Sequence, residues 1–206
     1  MIHIKKFENF DNKNSTLIIV DVQKSFRKFF TELYINELKK YCKKFRNVYQ
    51  IWDNHHHGKN VDKDYLYDEL PEIPIDGDLY HFPNQKDIIE KRYNYNVSVD
   101  FYKNILDKDL YSDIKNKEER GLLKKGNLFK TKKGTAIVYV GNNHKWYHIG
   151  KKLYDLLIKL SGQEVIIVGG ADSECLEDIS TAAESIGVII KRNHKFIWSA
   201  NHCPIK

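Results

Sequence analysis

Cys175 stands where a short apolar run turns into a helix, and that placement can give a thiol chemistry. Residues 165–168 (Val-Ile-Ile-Val) are the kind of β-branched run that lies buried in a parallel sheet. Gly169 and Gly170 break the run, and Ser173 can cap a helix whose apolar side carries Leu176, Ile179, Ala183 and Ile186 before Gly187 stops it. In the first turn of that helix, unsatisfied N–H groups and the positive end of the macrodipole favour a thiolate. The same N–H groups can hold an oxyanion formed when sulfur attacks a carbonyl. A cysteine outside a disulfide is also often a small buried apolar residue, and this stretch alone leaves both readings open.

Two more ionisable residues close apolar strands. Asp21 ends the run at 16–22, and a buried acid there is costly unless it is paired or employed. Lys91 ends the strand-like piece 87–91. In open α/β sheets ligands lie at the carboxyl ends of the strands, so Asp21, Lys91 and Cys175 are expected along one edge. Their chemistry is complementary: Asp21 can accept the thiol proton, Lys91 can stabilise thiolate and carboxylate, and Cys175 can attack. A histidine such as His144 or His194 is the alternative base, to be preferred if Lys91 lies elsewhere.

Asp53 closes the strand at 47–53 and is followed by Asn54-His55-His56-His57. Asp53 and His55, two apart in an extended segment, project to the same side, as two metal ligands would. Three successive histidines are equally compatible with a solvated loop.

The elements that must position these groups alternate along the chain. A helix is expected over 32–45, with Leu33, Ile35, Leu38, Tyr41, Cys42 and Phe45 as its apolar stripe. Further helices are expected at 99–106 and 151–160, strand-like pieces at 78–82 and 188–192, and an edge piece at 196–198. The alternation predicts one α/β domain with a doubly wound, mostly parallel sheet and helices on both faces. Residues 107–150 read as a small β-rich insertion, with a hairpin of 127–131 against 135–141 and an aromatic, imidazole-rich turn over 142–148.

At 206 residues, 41% hydrophobic and 30% charged, the chain can bury an adequate core. No apolar run is long enough to span a membrane, and the first residues lack a signal-peptide core. The three cysteines are odd in number and form no Cys-x-x-Cys pair, so a reducing, cytoplasmic home is expected. Net charge +6 and a pI near 9.0 raise the question of nucleic acid. The lysines, however, are mixed with acids along the chain and cluster only from Lys124 to Lys133, so nucleic acid is not expected as the main partner.

The run Leu17-Ile18-Ile19-Val20-Asp21-Val22-Gln23-Lys24-Ser25-Phe26 resembles the opening of the isochorismatase-like cysteine hydrolases, which include the nicotinamidases. Residues 165–171, then Cys175, Asp178, Ala182-Ala183 and Gly187, are similar to the nucleophile strand and helix of that family, and Lys91 matches its lysine less specifically. The resemblance implies an Asp21–Lys91–Cys175 triad, a cis peptide at Gly170–Ala171 and an oxyanion hole from the N–H groups of Ala171 and Cys175. It implies hydrolysis of a small amide through a thioester, and frequent assembly into homo-oligomers. Nicotinamidases add a divalent metal (Zn, Fe or Mn), here on Asp53 and His55 with His81 or His57 as third ligand. Phe26 is placed at the substrate by the same resemblance. About eighty residues separate Lys91 from Cys175, far more than the family uses, which puts 107–150 near the mouth of the site. There Asn142, His144 and Trp146 either clamp the substrate, or Trp146 and Tyr147 pack the insertion onto the domain. Asn54 stands where an aromatic is usual, and the acidic Asp172-Ser173-Glu174 beside Cys175 opposes a thiolate. The reading from another class is a binding or regulatory protein that kept this fold and recognises a nucleotide or nucleic acid through its basic surface.

Overall fold

The computed structural model describes residues 15–53, 78–91, 95–96 (backbone only), 98–132, 134–141, 146–199 and 202–205. Five strands form a wholly parallel sheet: β1 (Thr16–Val20), β2 (Asn47–Asp53), β3 (Gln85–Lys91), β8 (Glu164–Gly169) and β9 (Ile189–Ile197), in the spatial order β3-β2-β1-β8-β9. Every residue of β1 is buried, as continuous β-branched runs must be when both sheet faces are covered. Parallel pairing then puts the carboxyl ends of β1, β2, β3 and β8 on one edge.

One face of the sheet is covered by α1 (Glu32–Cys42). Its start is set by Thr31, whose hydroxyl accepts the Tyr34 N–H at 3.1 Å. Tyr34, Ile35, Leu38 and Cys42 pack there on Leu17, Ile19, Val48 and Val168. The helix ends three residues before the expected 45, where turn bonds to Tyr41 and Cys42 take over. The Tyr34 hydroxyl donates to the Phe196 carbonyl at 2.8 Å, tying this helix to β9.

The other face carries α3 (Lys151–Leu160), α4 (Cys175–Ser185) and a second sheet. This antiparallel sheet has the order β4-β7-β6-β5, from β4 (Tyr95–Asn96), β5 (Leu128–Lys130), β6 (Ala136–Tyr139) and β7 (Trp146–Ile149). Alternation sorts its side chains into two layers. Ala136, Val138, Tyr147 and Ile149 join Ile18, Val20, Ile51, Ile89 and Ile167 in the main core. Ile137 and Trp146 point the other way, onto Val99, Tyr102, Ile105, Leu106 and Ile114.

Several expectations need correction. Residues 78–82 form a single bridge, Gln23 with Leu79, not a strand. Residues 99–106 form only a 3₁₀ turn (Val99–Tyr102) followed by turns. The inserted region includes a helix, α2 (Lys108–Glu119), which buries little beyond Ile114 and so shows a weak apolar stripe in sequence. Strand β7 occupies what reads as a turn at 146–148, and its pairing with β4 extends the module back to residue 95. The pieces at 188–192 and 196–198 are one strand with an irregularity opposite Ile167 and Gly169. Among the described residues, no helix is long and apolar enough to cross a membrane.

Gly169 ends β8 at φ +106, and a Cβ there would lie 1.9 Å from the Val20 carbonyl oxygen. Gly169→Ala is expected to cost about 3 kcal/mol or more, or to prevent folding. Gly162→Ala, with a similar φ of +76 but open space, isolates the backbone term at about 1 kcal/mol. Urea denaturation of the two variants checks the difference.

Candidate active site

The sheet edge gathers the three expected residues. Asp21 follows β1 in a left-handed conformation, φ 52, which aspartate tolerates better than most residues, and its N–H donates to the Ile51 carbonyl at 2.9 Å. Lys91 ends β3 in register with Asp53 at the end of β2. Two strand spacings, about 10 Å, separate β3 from β1, a gap that the long lysine stem and the aspartate side chain close together. The Lys91 Nζ lies 2.5 Å from Asp21 Oδ2 and 3.4 Å from Asp53 Oδ2, with all three side chains buried. Cys175 is the first residue of α4, half-buried, with its thiol in hydrogen-bonding contact with both Asp21 and Lys91.

The local frame is built from buried polar bonds. The Gln23 side chain accepts the Asp53 N–H at 2.8 Å and donates to the Asp53 carbonyl at 2.7 Å, so it acts as an extra peptide unit at the end of β2. It also donates to Asp78 Oδ2 at 2.6 Å, while Asp78 accepts from the Ser25 N–H and hydroxyl. The turn before α4 contains the cis peptide Gly170–Ala171 that the family resemblance implies. Its bonds engage the N–H groups of Asp172, Glu174 and Leu176, with carbonyls of Trp198 and Ala171 as acceptors. The Ala171 N–H takes no part in them. Ser173 does not cap the helix; Glu174 holds that position without a side-chain bond.

Burial dominates the electrostatics. It raises the Asp21 carboxyl from 3.8 to about 6, with Lys91 pulling it down and Asp53 pushing it up. Burial also pushes the Cys175 thiol up to about 12, against the lowering effect of Lys91. Desolvation thus opposes the helix terminus, which by itself favours a thiolate, and the thiol lies beside the Asp21 carboxyl. The acids near Cys175 are compensated, because Arg192 pairs with Asp172 at 3.3 Å and both Arg192 and Lys125 pair with Glu177. These four residues, with Val140, Gly141 and Ser173, line a groove of about 380 Å³ beside the first turn of α4.

The remaining expected residues fall in different places. Phe26 lies on a 3₁₀ turn (Lys24–Phe29), its ring 5.6 Å from that of Trp198. Trp198 in turn occupies the space beside Gly170, so Phe26 is close to the turn before α4. Trp146 does not face the triad: it is fully buried in the outer layer, and its Nε1 donates to Glu118 at 2.9 Å. Asn142, His144, His55 and His57 lie outside the described residues. His194 is exposed on β9, and Lys91 lies beside Asp21, so the condition under which a histidine base is to be preferred is not met. Of the expected metal ligands, Asp53 turns its carboxylate toward an ammonium and His81 is exposed. Among the described residues no group of three metal-capable side chains forms, and His55 and His57 lie outside them.

Tyr147 does pack this region onto the domain, the second of the two readings of the turn over 142–148. It is 1% exposed, on the inward face of β7, in the main core against which Cys175 also packs. Period-two alternation in Trp146-Tyr147-His148-Ile149 is the signal that separates it from Trp146, once 146–149 is taken as a strand.

No family model matches the chain, and neither a curated protein nor a solved structure matches it.

Because Asp21 holds its proton more tightly folded than unfolded, its contribution to stability is full below 3.8 and is lost as pH rises to about 6. The unfolding free energy of the wild type, measured relative to Asp21→Asn, is expected to fall by on the order of 3 kcal/mol across that window and to level off above it. Urea titrations of both proteins across this pH range check the sign and the window.

Proposed function

We propose that this chain is a cysteine hydrolase that cleaves the C–N bond of a small amide, in the manner of the isochorismatase-like hydrolases it resembles. The observation that carries the reading is the meeting of Cys175, Asp21 and Lys91 at the carboxyl edge of a parallel sheet, with a buried ion pair of 2.5 Å beside the thiol. Residues so far apart in sequence rarely bury two charges without use.

In this mechanism Cys175 Sγ attacks the amide carbon as its proton passes to Asp21, forming the S–C bond. The N–H groups of Ala171 and Cys175 face the resulting oxyanion. Lys91 remains charged and holds Asp21 in place while the site carries this negative charge. Asp21 then returns the proton to the amide nitrogen, the C–N bond breaks and ammonia leaves. Water attacks the thioester, giving its proton to Asp21, and collapse releases the carboxylic acid and restores the thiol. An Asp21 carboxyl near 6 suits this two-way traffic, since a proton carrier works best close to the operating pH. Phe26 beside the nucleophile turn suits a flat substrate, and nicotinamide is the first compound to try.

Ammonia release from a panel of small amides tests the reading. Cys175→Ala is expected to fall to background, and Asp21→Asn or Lys91→Met to lose about 10²–10⁴-fold in kcat. Release that persists in Cys175→Ala, or none from any amide, would sink the proposal and favour a binding role. Chelator treatment of an active preparation shows whether a metal takes part.

A further inference from the structure

One side chain grips the turn that presents Cys175 on both sides of the thiol. Arg192, on β9, donates from one guanidinium nitrogen to Asp172 Oδ1 at 3.3 Å and from the other to Glu177 Oε2. Asp172 comes three residues before Cys175 and Glu177 two after it, so a single planar fork spans the segment that carries the sulfur. Lys125, from the inserted region, pairs with Glu177 as well. Backbone bonds from the same strand side reinforce the grip: the Trp198 carbonyl accepts the Asp172 N–H at 3.0 Å. Side-chain help is needed here because α4 starts at Cys175 with no side-chain cap.

We infer that Arg192 is a positioning residue: by holding Asp172 and Glu177 at once, it fixes the segment 172–177 so that the N–H groups of Ala171 and Cys175 meet the oxyanion together. The inference rests on the hydrolase reading proposed above. Each prong of the fork governs one of the two donors, since Asp172 adjoins Ala171 and Glu177 lies in the helical turn that Cys175 begins. The contribution is geometric rather than a matter of stability. The side chains of Arg192, Asp172 and Glu177 are 27%, 44% and 26% exposed, and ion pairs this open to water add little to folding. A guanidinium bonded to two carboxylates nevertheless restricts where both can go. Oxyanion donors are effective only when they are already in place as charge develops, so a small displacement of either is felt in the rate. Arg192 also cancels carboxylate charge near the reacting carbonyl, an effect that the test separates from positioning.

Two reactions of the same thiol test this. Amide turnover passes through an oxyanion, whereas alkylation of Cys175 by iodoacetamide, followed by mass spectrometry, displaces iodide and forms none. Turnover is measured on nicotinamide or, where that is inert, on the amide of the panel that the wild type cleaves fastest. Arg192→Gln is expected to lower kcat about 10- to 100-fold with KM little changed, while Cys175 is alkylated at close to the wild-type rate. Arg192→Lys keeps the charge but loses the fork, and is expected to recover only part of the loss. Asp172→Ala breaks the same contact while removing a negative charge, so positioning predicts a fall in kcat where charge cancellation alone predicts none. Thermal unfolding shows that each variant keeps the fold. Wild-type kcat in Arg192→Gln, a loss in alkylation as large as that in kcat, or an undiminished kcat in Asp172→Ala would each overturn the inference and leave the hydrolase standing. A rise in KM with kcat kept would also overturn it, by making the guanidinium a substrate contact through the groove it lines. A wild type that releases ammonia from no amide would remove the hydrolase reading and this inference with it.

Discussion

The contact on which the rest depends is the buried ion pair of Lys91 and Asp21. Two charges with essentially no exposure are tolerable only when their partners are in place, and each here depends on a different strand end. Their meeting requires the order β3-β2-β1-β8, parallel throughout, so that three carboxyl ends and the start of α4 converge. The polar bonds around Gln23, Asp53 and Asp78 serve that end by fixing where β1 and β2 stop. Burial, helped by Asp53 as a second carboxylate on the same ammonium, keeps Asp21 from being a simple low-pKa acid and raises it to about 6.

Residues 107–150 form a structural layer that also lines the groove beside α4 through Lys125, Val140 and Gly141. Its inner face completes the main core and its outer face makes a smaller core with α2 and the 3₁₀ turn at Val99–Tyr102. That double role explains why Trp146 and Tyr147, adjacent in sequence, have unrelated surroundings. One locks the module together through Glu118, and the other packs into the main core.

Much of this is legible in the sequence because it depends on strong local signals. Buried β-branched runs mark β1 and β8, and the ionisable residues closing β1, β2 and β3 locate the site edge, since a buried acid or lysine at a strand end must be paired or employed to offset its burial. What escapes depends on tertiary context. Helix α2 buries one narrow stripe, so its period is faint, and β9 bends in a way that splits one strand into two apparent pieces. The compensation of Asp172 and Glu177 by Arg192 and Lys125 joins residues from three separate stretches, invisible to any window. A helix terminus is a local feature and desolvation is not, so the thiol's resting state cannot be read from the stretch around Cys175.

Trp198 lies where a side chain on Gly170 would have to go, and its carbonyl accepts the Asp172 N–H. The turn that presents Cys175 is therefore moulded by a residue made after it. The residues it serves lie as far back as Asp21, and the Lys91–Asp21 bond alone spans 70 positions. On a ribosome, a chain lacking its last strand has a cysteine but neither the shaped turn nor the closed sheet edge around it. The surroundings of this thiol are thus completed only after Trp198 has been made.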